Sequence, residues 1–210
     1  MALRWVFAVV AHVALAVASG PAAAWSPSEL FKPCRGDCAT TIYWGTYVQD
    51  SLGDLFISPE APGALNYHND HLVATALSRD AAQFFHGHLH LEPEVGIAQR
   101  YGQQDETEVW AALFFRYRGF PWDDVIVTSV AASTGLNYAS DVSEVEQDRA
   151  NDGQGSQLMH FFSPEVTFAL PSHPGTELVF RMHHRSGVFG LVSDAWGGAQ
   201  YATVGLRIRF

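Results

Sequence analysis

Hydrophobic and polar residues alternate along much of this chain, with a period of two. In 109–118, Val109, Ala111, Leu113, Phe115 and Tyr117 oppose Trp110, Phe114, Arg116 and Arg118. In 162–170, Phe162, Val166, Phe168 and Leu170 oppose Ser163, Glu165 and Thr167. In the last segment, Ala202, Val204, Leu206, Ile208 and Phe210 oppose Thr203, Gly205, Arg207 and Arg209. Successive side chains on a strand point to opposite faces, so each stretch predicts a strand with one apolar and one polar face. Turn residues between such stretches mark out eight strands, near 40–52, 71–81, 84–101, 106–120, 124–138, 157–170, 176–187 and 199–210. Segments 71–81 and 124–138 do not alternate cleanly, and their faces stay unassigned.

Two all-β solutions fit. A soluble β-sandwich turns the apolar faces inward. A transmembrane barrel turns them to lipid and fills its lumen with the polar faces. Three features favour the barrel. Long connections at 53–70, 139–156 and 188–198 alternate with short ones, with the short 102–105 as the exception. The chain ends on an alternating strand closed by Phe210. Tyr43, Trp44, Tyr47, Tyr101, Trp110, Phe120 and Trp122 lie near strand ends, where aromatic girdles sit. The expected fold is an all-β, eight-stranded antiparallel transmembrane β-barrel.

The N-terminus changes the setting. Arg4, an apolar run from Trp5 to Val17 and the small residues Ala22-Ala23-Ala24 read as an export signal. The expected organisation is a signal peptide at 1–24, a periplasmic lead-in at 25–39 and the barrel at 40–210. Of the 210 residues only 16% are charged and 48% are hydrophobic, and the formal net charge is −10. Such an acidic chain suits no nucleic-acid partner, because phosphate contacts need Lys and Arg. Cys34 and Cys38 in an exported chain predict a small disulfide loop.

Chemistry enters at Leu178–Gly187. Leu178, Phe180 and Met182 share the apolar face, which continues into His184 and Ser186, while Val179, Arg181, His183 and Arg185 share the other. His184 and Ser186 stand about 6.6 Å apart along the strand, a gap that leaning side chains can close. A His beside a Ser is the smallest nucleophile–base pair. The plain alternative is two polar residues where a strand leaves the apolar layer. With periplasmic termini, strand parity places the pair at the outer end, facing lipid.

His184-Arg185-Ser186, the Gly-rich loop that follows (Gly187, Gly190, Gly197, Gly198) and the closing Gly205–Phe210 resemble the penultimate strand, loop and last strand of the lipid A 3-O-deacylase (PagL) family. The resemblance covers about the last 35 residues. It implies an outer-membrane esterase that hydrolyses an acyl ester of lipid A, with Ser186 as nucleophile and His184 as base. The implied partners are lipid A or lipopolysaccharide in the outer leaflet of the bacterial outer membrane, and the implied chemistry needs no cofactor. The family's third member is a Glu on the last strand. Here no Glu follows Glu177, Gln200 is closest in place, and Asp194 is the nearby carboxylate. The family often has Asn after the Ser, where this chain has Gly187. The runner-up is a non-catalytic barrel of the same kind, with a structural or surface-binding role.

Two other clusters have plainer readings. His86, His88, His90, Glu92 and Glu94 are placed on one strand face. Rings about 6.6 Å apart are too splayed to hold one ion without help, so the expectation is a lumen network with Arg116, Arg118, Arg181, His183 and Arg185 and no metal. The acidic stretch Asn137–Gln157 reads as an outer loop.

Overall fold

A computed structural model describes residues 32–50, 52–53, 64–142, 144–149, 155–188, 190–195 and 198–210. The expected signal peptide at 1–24, and the lead-in up to residue 31, lie outside the described residues.

Ten segments form one antiparallel sheet: β1 (Cys38–Val48), β2 (Tyr67–Arg79), β3 (Ala82–Phe84), β4 (Leu89–Gly102), β5 (Thr107–Arg118), β6 (Val127–Ala139), β7 (Leu158–Phe162), β8 (Glu165–Ala169), β9 (Thr176–Ser186) and β10 (Gly198–Arg209). A short helix α1 (Glu144–Arg149) lies between β6 and β7. β2 and β3 both pair with β4 and make one interrupted strand. β7 and β8 both pair with β6 on one side and β9 on the other. Their break falls at Ser163–Pro164, where proline has no N–H to offer a ladder. The ten segments thus occupy eight positions. Pairing of β1 with β10 closes the sheet into the expected eight-stranded barrel.

The faces follow the alternation. Ile42, Ile97, Val109, Phe115, Phe180 and Leu206 form part of an outward belt of exposed apolar side chains. Water would penalise so large an apolar surface, and a lipid interior does not. Among the described residues no helix is long and apolar enough to cross a membrane. The apolar belt is carried by strands.

The lumen is filled by charge and rings. Arg116 bridges Glu92 at 2.9 Å and Glu165 at 2.6 Å. Arg181 bridges Glu94 and Glu165 and lies over the rings of Tyr43 and Phe114. Arg207 pairs with Glu92 and Glu177. His183 lies between Tyr43 and Glu108. Buried charges persist when each has partners; of the expected network, Arg116 and Arg118 reach Glu92 and Arg181 reaches Glu94, whereas His183 and Arg185 pair with Glu108 and Glu146 instead. Gly96 leaves space for the Trp110 indole, which would clash with any Cβ there.

Two readings need correction. Strand 84–101 is broken by a 3-10 turn at Phe85–Gly87. Phe85 and His86 have positive φ, so His86 and His88 leave the lumen face, while His90, Glu92 and Glu94 remain buried. Tyr43, Tyr47 and Trp110 are lumen residues rather than girdle residues, because their strand parity matches that of the polar face. Trp44, Tyr101 and Trp122 do face outward.

Connections 49–66, 103–106, 140–157 and 187–197 leave one end of the barrel, while 85–88, 119–126 and 170–175 leave the other, together with both barrel termini. Only 103–106 breaks the long–short alternation, as expected. α1 meets the lumen at the first end, where Glu146 is bridged to Arg100 and Arg185.

Candidate active site

The end of β9 on the side of the long connections carries the candidate pair. Its lumen-facing residues His183 and Arg185 are fully buried in the network, which fixes parity and turns His184 and Ser186 outward. Register then supplies their neighbours. Gln200 on β10 is directly opposite His184, and Gly198 is opposite Ser186. On the other flank Phe162 of β7 is opposite His184, and His160 is opposite Ser186.

The side chains of His184 and Gln200 meet. His184 Nδ1 donates to Gln200 Oε1 at 3.1 Å. A carbonyl oxygen can only accept, so the neutral ring carries its proton on Nδ1 and its lone pair on Nε2. Among the described residues, no hydrogen bond joins this ring to Ser186; the two share a face but are not engaged. Asp194, the other carboxyl suggested by the sequence, is exposed on the loop.

The outward residues lower on β10 are open, with Val204 at 42% and Leu206 at 51% exposure, whereas Gln200 is at 1% and His184 at 9%. Leu52, beyond β1, lines a groove with Val130, Pro164, Val166, Phe180 and Met182. β10 and β9 stand between β1 and that groove. Leu52 thus packs at the groove two positions around the barrel from β1, on the same flank as the buried His184–Gln200 pair. The groove, of about 420 Å³, opens on the belt just inward of His184.

The turn after Ser186 is tight. Gly187 is pressed against the backbone of Ala195, which would clash with a Cβ. Val188 has φ +52, a left-handed conformation that is costly for a β-branched residue. Val192 N donates to Gly187 O and Leu191 N to Val188 O, both at 3.1 Å.

Sequence reading missed His160, whose Nε2 shares a hydrogen bond with Thr134 Oγ1 at 2.9 Å. Its signal was a polar residue at an outward position of a strand whose other outward residues are Leu158 and Phe162. Among the described residues no three His, Cys, Asp or Glu side chains converge as a metal site.

No family model matches the chain, and no curated protein matches it. Solved structures share its fold. The outer membrane enzyme PagL aligns with a TM-score of 0.54 and 15% identity, over 82% of this chain and 99% of that chain. Neisserial surface protein A (NspA) aligns with a TM-score of 0.51 and 12% identity, over 85% of this chain and all of that chain. At such identities the likeness is one of fold, and the fold is that of an outer-membrane β-barrel.

Proposed function

We propose that this chain is an esterase of the bacterial outer membrane that hydrolyses an acyl ester of lipid A or a similar outer-leaflet lipid, without a cofactor. One observation carries the reading: a histidine held in one tautomer by Gln200, on the lipid-facing side, two residues from Ser186 and directly above an apolar groove.

In this reading the acyl chain lies in the groove and the ester carbonyl reaches Ser186. His184 Nε2 takes the proton from Ser186 Oγ as the oxygen attacks the carbonyl carbon. The imidazolium then gives that proton to the leaving alcohol oxygen as the ester C–O bond breaks, and a serine acyl ester remains. Water, deprotonated by the same nitrogen, then attacks that ester; the imidazolium returns the proton to Ser186 Oγ as the serine C–O bond breaks, and the fatty acid leaves. Gln200 holds the ring but supplies no charge to stabilise the imidazolium. Gln200 Nε2 is buried with no hydrogen-bond partner among the described residues. Together with N–H groups of the turn at Gly187 and Gly190, it is a donor for the developing oxyanion.

The second reading, a non-catalytic barrel with a structural or surface-binding role, is favoured by the missing carboxylate behind His184. Purified protein mixed with lipid A in detergent and Ca²⁺ separates the two. Fatty-acid release followed by mass spectrometry, lost in Ser186→Ala, supports the esterase. No release by the wild type supports the scaffold.

A further inference from the structure

Ser186 has a second imidazole beside it, on the flank away from Gln200. The pairing of β7 with β9 sets His160 directly opposite Ser186. Directly opposed residues on one face have Cβ atoms about 4.5–5.5 Å apart, less than the ~6.6 Å step along β9 to His184. His160 is tied to Thr134 of β6 and has Leu136 opposite it on that strand. Its neighbours two residues away on β7, Leu158 and Phe162, are apolar. A polar pair among apolar lipid-facing neighbours at the end of a strand is placed where hydrogen-bonding headgroup atoms are met. The mechanism above leaves this pair unused.

Its height on the barrel indicates which half of an ester it meets. The apolar groove at Val130, Pro164 and Met182 lies inward of His184, toward the middle of the belt. His160 is level with Ser186, at the outer end. An acyl chain occupying the groove leaves the alcohol half of the ester level with His160. We infer that His160, held by Thr134, binds the oxygen-rich headgroup of an outer-leaflet glycolipid through its hydroxyl or phosphate oxygens. The choice of headgroup half rests on the Ser186 esterase reading, but the binding itself does not require turnover.

The test uses detergent-solubilised Ser186→Ala protein, so that no hydrolysis intervenes, titrated with lipid A by calorimetry. Adding His160→Phe, which keeps a planar ring but no hydrogen bond, is expected to weaken lipid A at least five-fold more than it weakens a fatty-acid methyl ester, which has no headgroup. His160→Gln, which keeps a donor and an acceptor, recovers part of the loss. Heat-modifiable mobility on gels checks that each variant is a folded barrel. An effect that vanishes with lipid A stripped of phosphate assigns the contact to phosphate, and one that persists assigns it to hydroxyls; both support the inference. Unchanged lipid A affinity, or equal weakening for both ligands, overturns it. Absence of hydrolysis by the wild type would end the esterase reading while this binding comparison still decides the role of His160.

Discussion

Cys38 and Phe210 exchange backbone hydrogen bonds, Phe210 N to Cys38 O at 2.9 Å and Cys38 N to Phe210 O at 3.3 Å. The first residue of β1 is thus joined to the last residue of the chain, at the seam that makes a sheet into a barrel. Cys38 is also disulfide-bonded to Cys34, so the segment before β1 is anchored at the same point.

Deleting Phe210 removes both hydrogen bonds and the exposed aromatic that follows β10. The expected result is slower or incomplete barrel assembly, seen as loss of the heat-modifiable folded band and of surface accessibility. Normal folding would show that the seam closes without its last pair. Replacing both Cys34 and Cys38 by Ser is expected to cost about 2 kcal/mol in the chain-entropy account of a short loop, read as a lower denaturant midpoint, with assembly intact.

Phe180 and Arg181 are adjacent residues with opposite surroundings. Phe180 is 43% exposed on the belt, and Arg181 is buried between Glu94 and Glu165. Phe180→Arg is expected to cost roughly 2–4 kcal/mol if its position is near the membrane midplane. Arg181→Leu strands two buried carboxylates and is expected to cost about 3–5 kcal/mol. Denaturant unfolding from lipid vesicles measures both. Indifference to both substitutions would mean that the strand is turned over by one residue.

Strand number, barrel end and most faces were legible because large residues alternate on β5, β9 and β10. The faces of β2 and β6 were not. Their lumen positions carry Ala74 and Ala76, and Ala131, Ser133 and Gly135, all small residues. A small lumen residue resembles a small lipid-facing one, so the period fades. The pairing of His184 with Gln200 was legible from hairpin register. The place of Leu52 at the groove was not, because it arises through tertiary packing rather than through any periodic pattern. His160 escaped because no motif surrounds it, and its meaning comes only from the β7–β9 register.

Glu106, in the connection between β4 and β5, titrates near neutrality. Burial raises its carboxyl to about 7, aided by Glu146, Glu108 and Asp70 and opposed by Arg100. The folded state therefore holds this proton more tightly than the unfolded chain, whose ordinary value is 4.5. The group contributes stability when protonated, and that contribution falls as pH rises from about 4.5 through about 7. The expected outcome is an unfolding midpoint that declines across this window in the wild type and declines less in Glu106→Gln. Identical pH profiles for the two proteins would remove Glu106 as the cause.

The hydrogen bond from His184 to Gln200 makes the strongest demand on the catalytic reading. Ser186→Ala and His184→Ala should each reduce deacylation by roughly a thousand-fold or more while the barrel stays folded, because a nucleophile and its base act as one unit. Gln200→Ala removes the orienting acceptor together with the Nε2 donor to the oxyanion and should cost on the order of a hundred-fold, less than loss of the base or the nucleophile. Gln200→Glu keeps the acceptor oxygen facing Nδ1–H and adds a negative charge beside the imidazolium formed during proton transfer. It is therefore expected to raise kcat above the wild type, with KM little changed, since the charge acts on the transition state rather than on lipid binding. Initial rates of fatty-acid release from lipid A in detergent, measured for all four variants, test the ordering. A Ser186→Ala protein as active as the wild type would end the serine mechanism. A Gln200→Glu protein that is folded but slower than the wild type would mean that loss of the Nε2 donor to the oxyanion outweighs the charge added behind the imidazole.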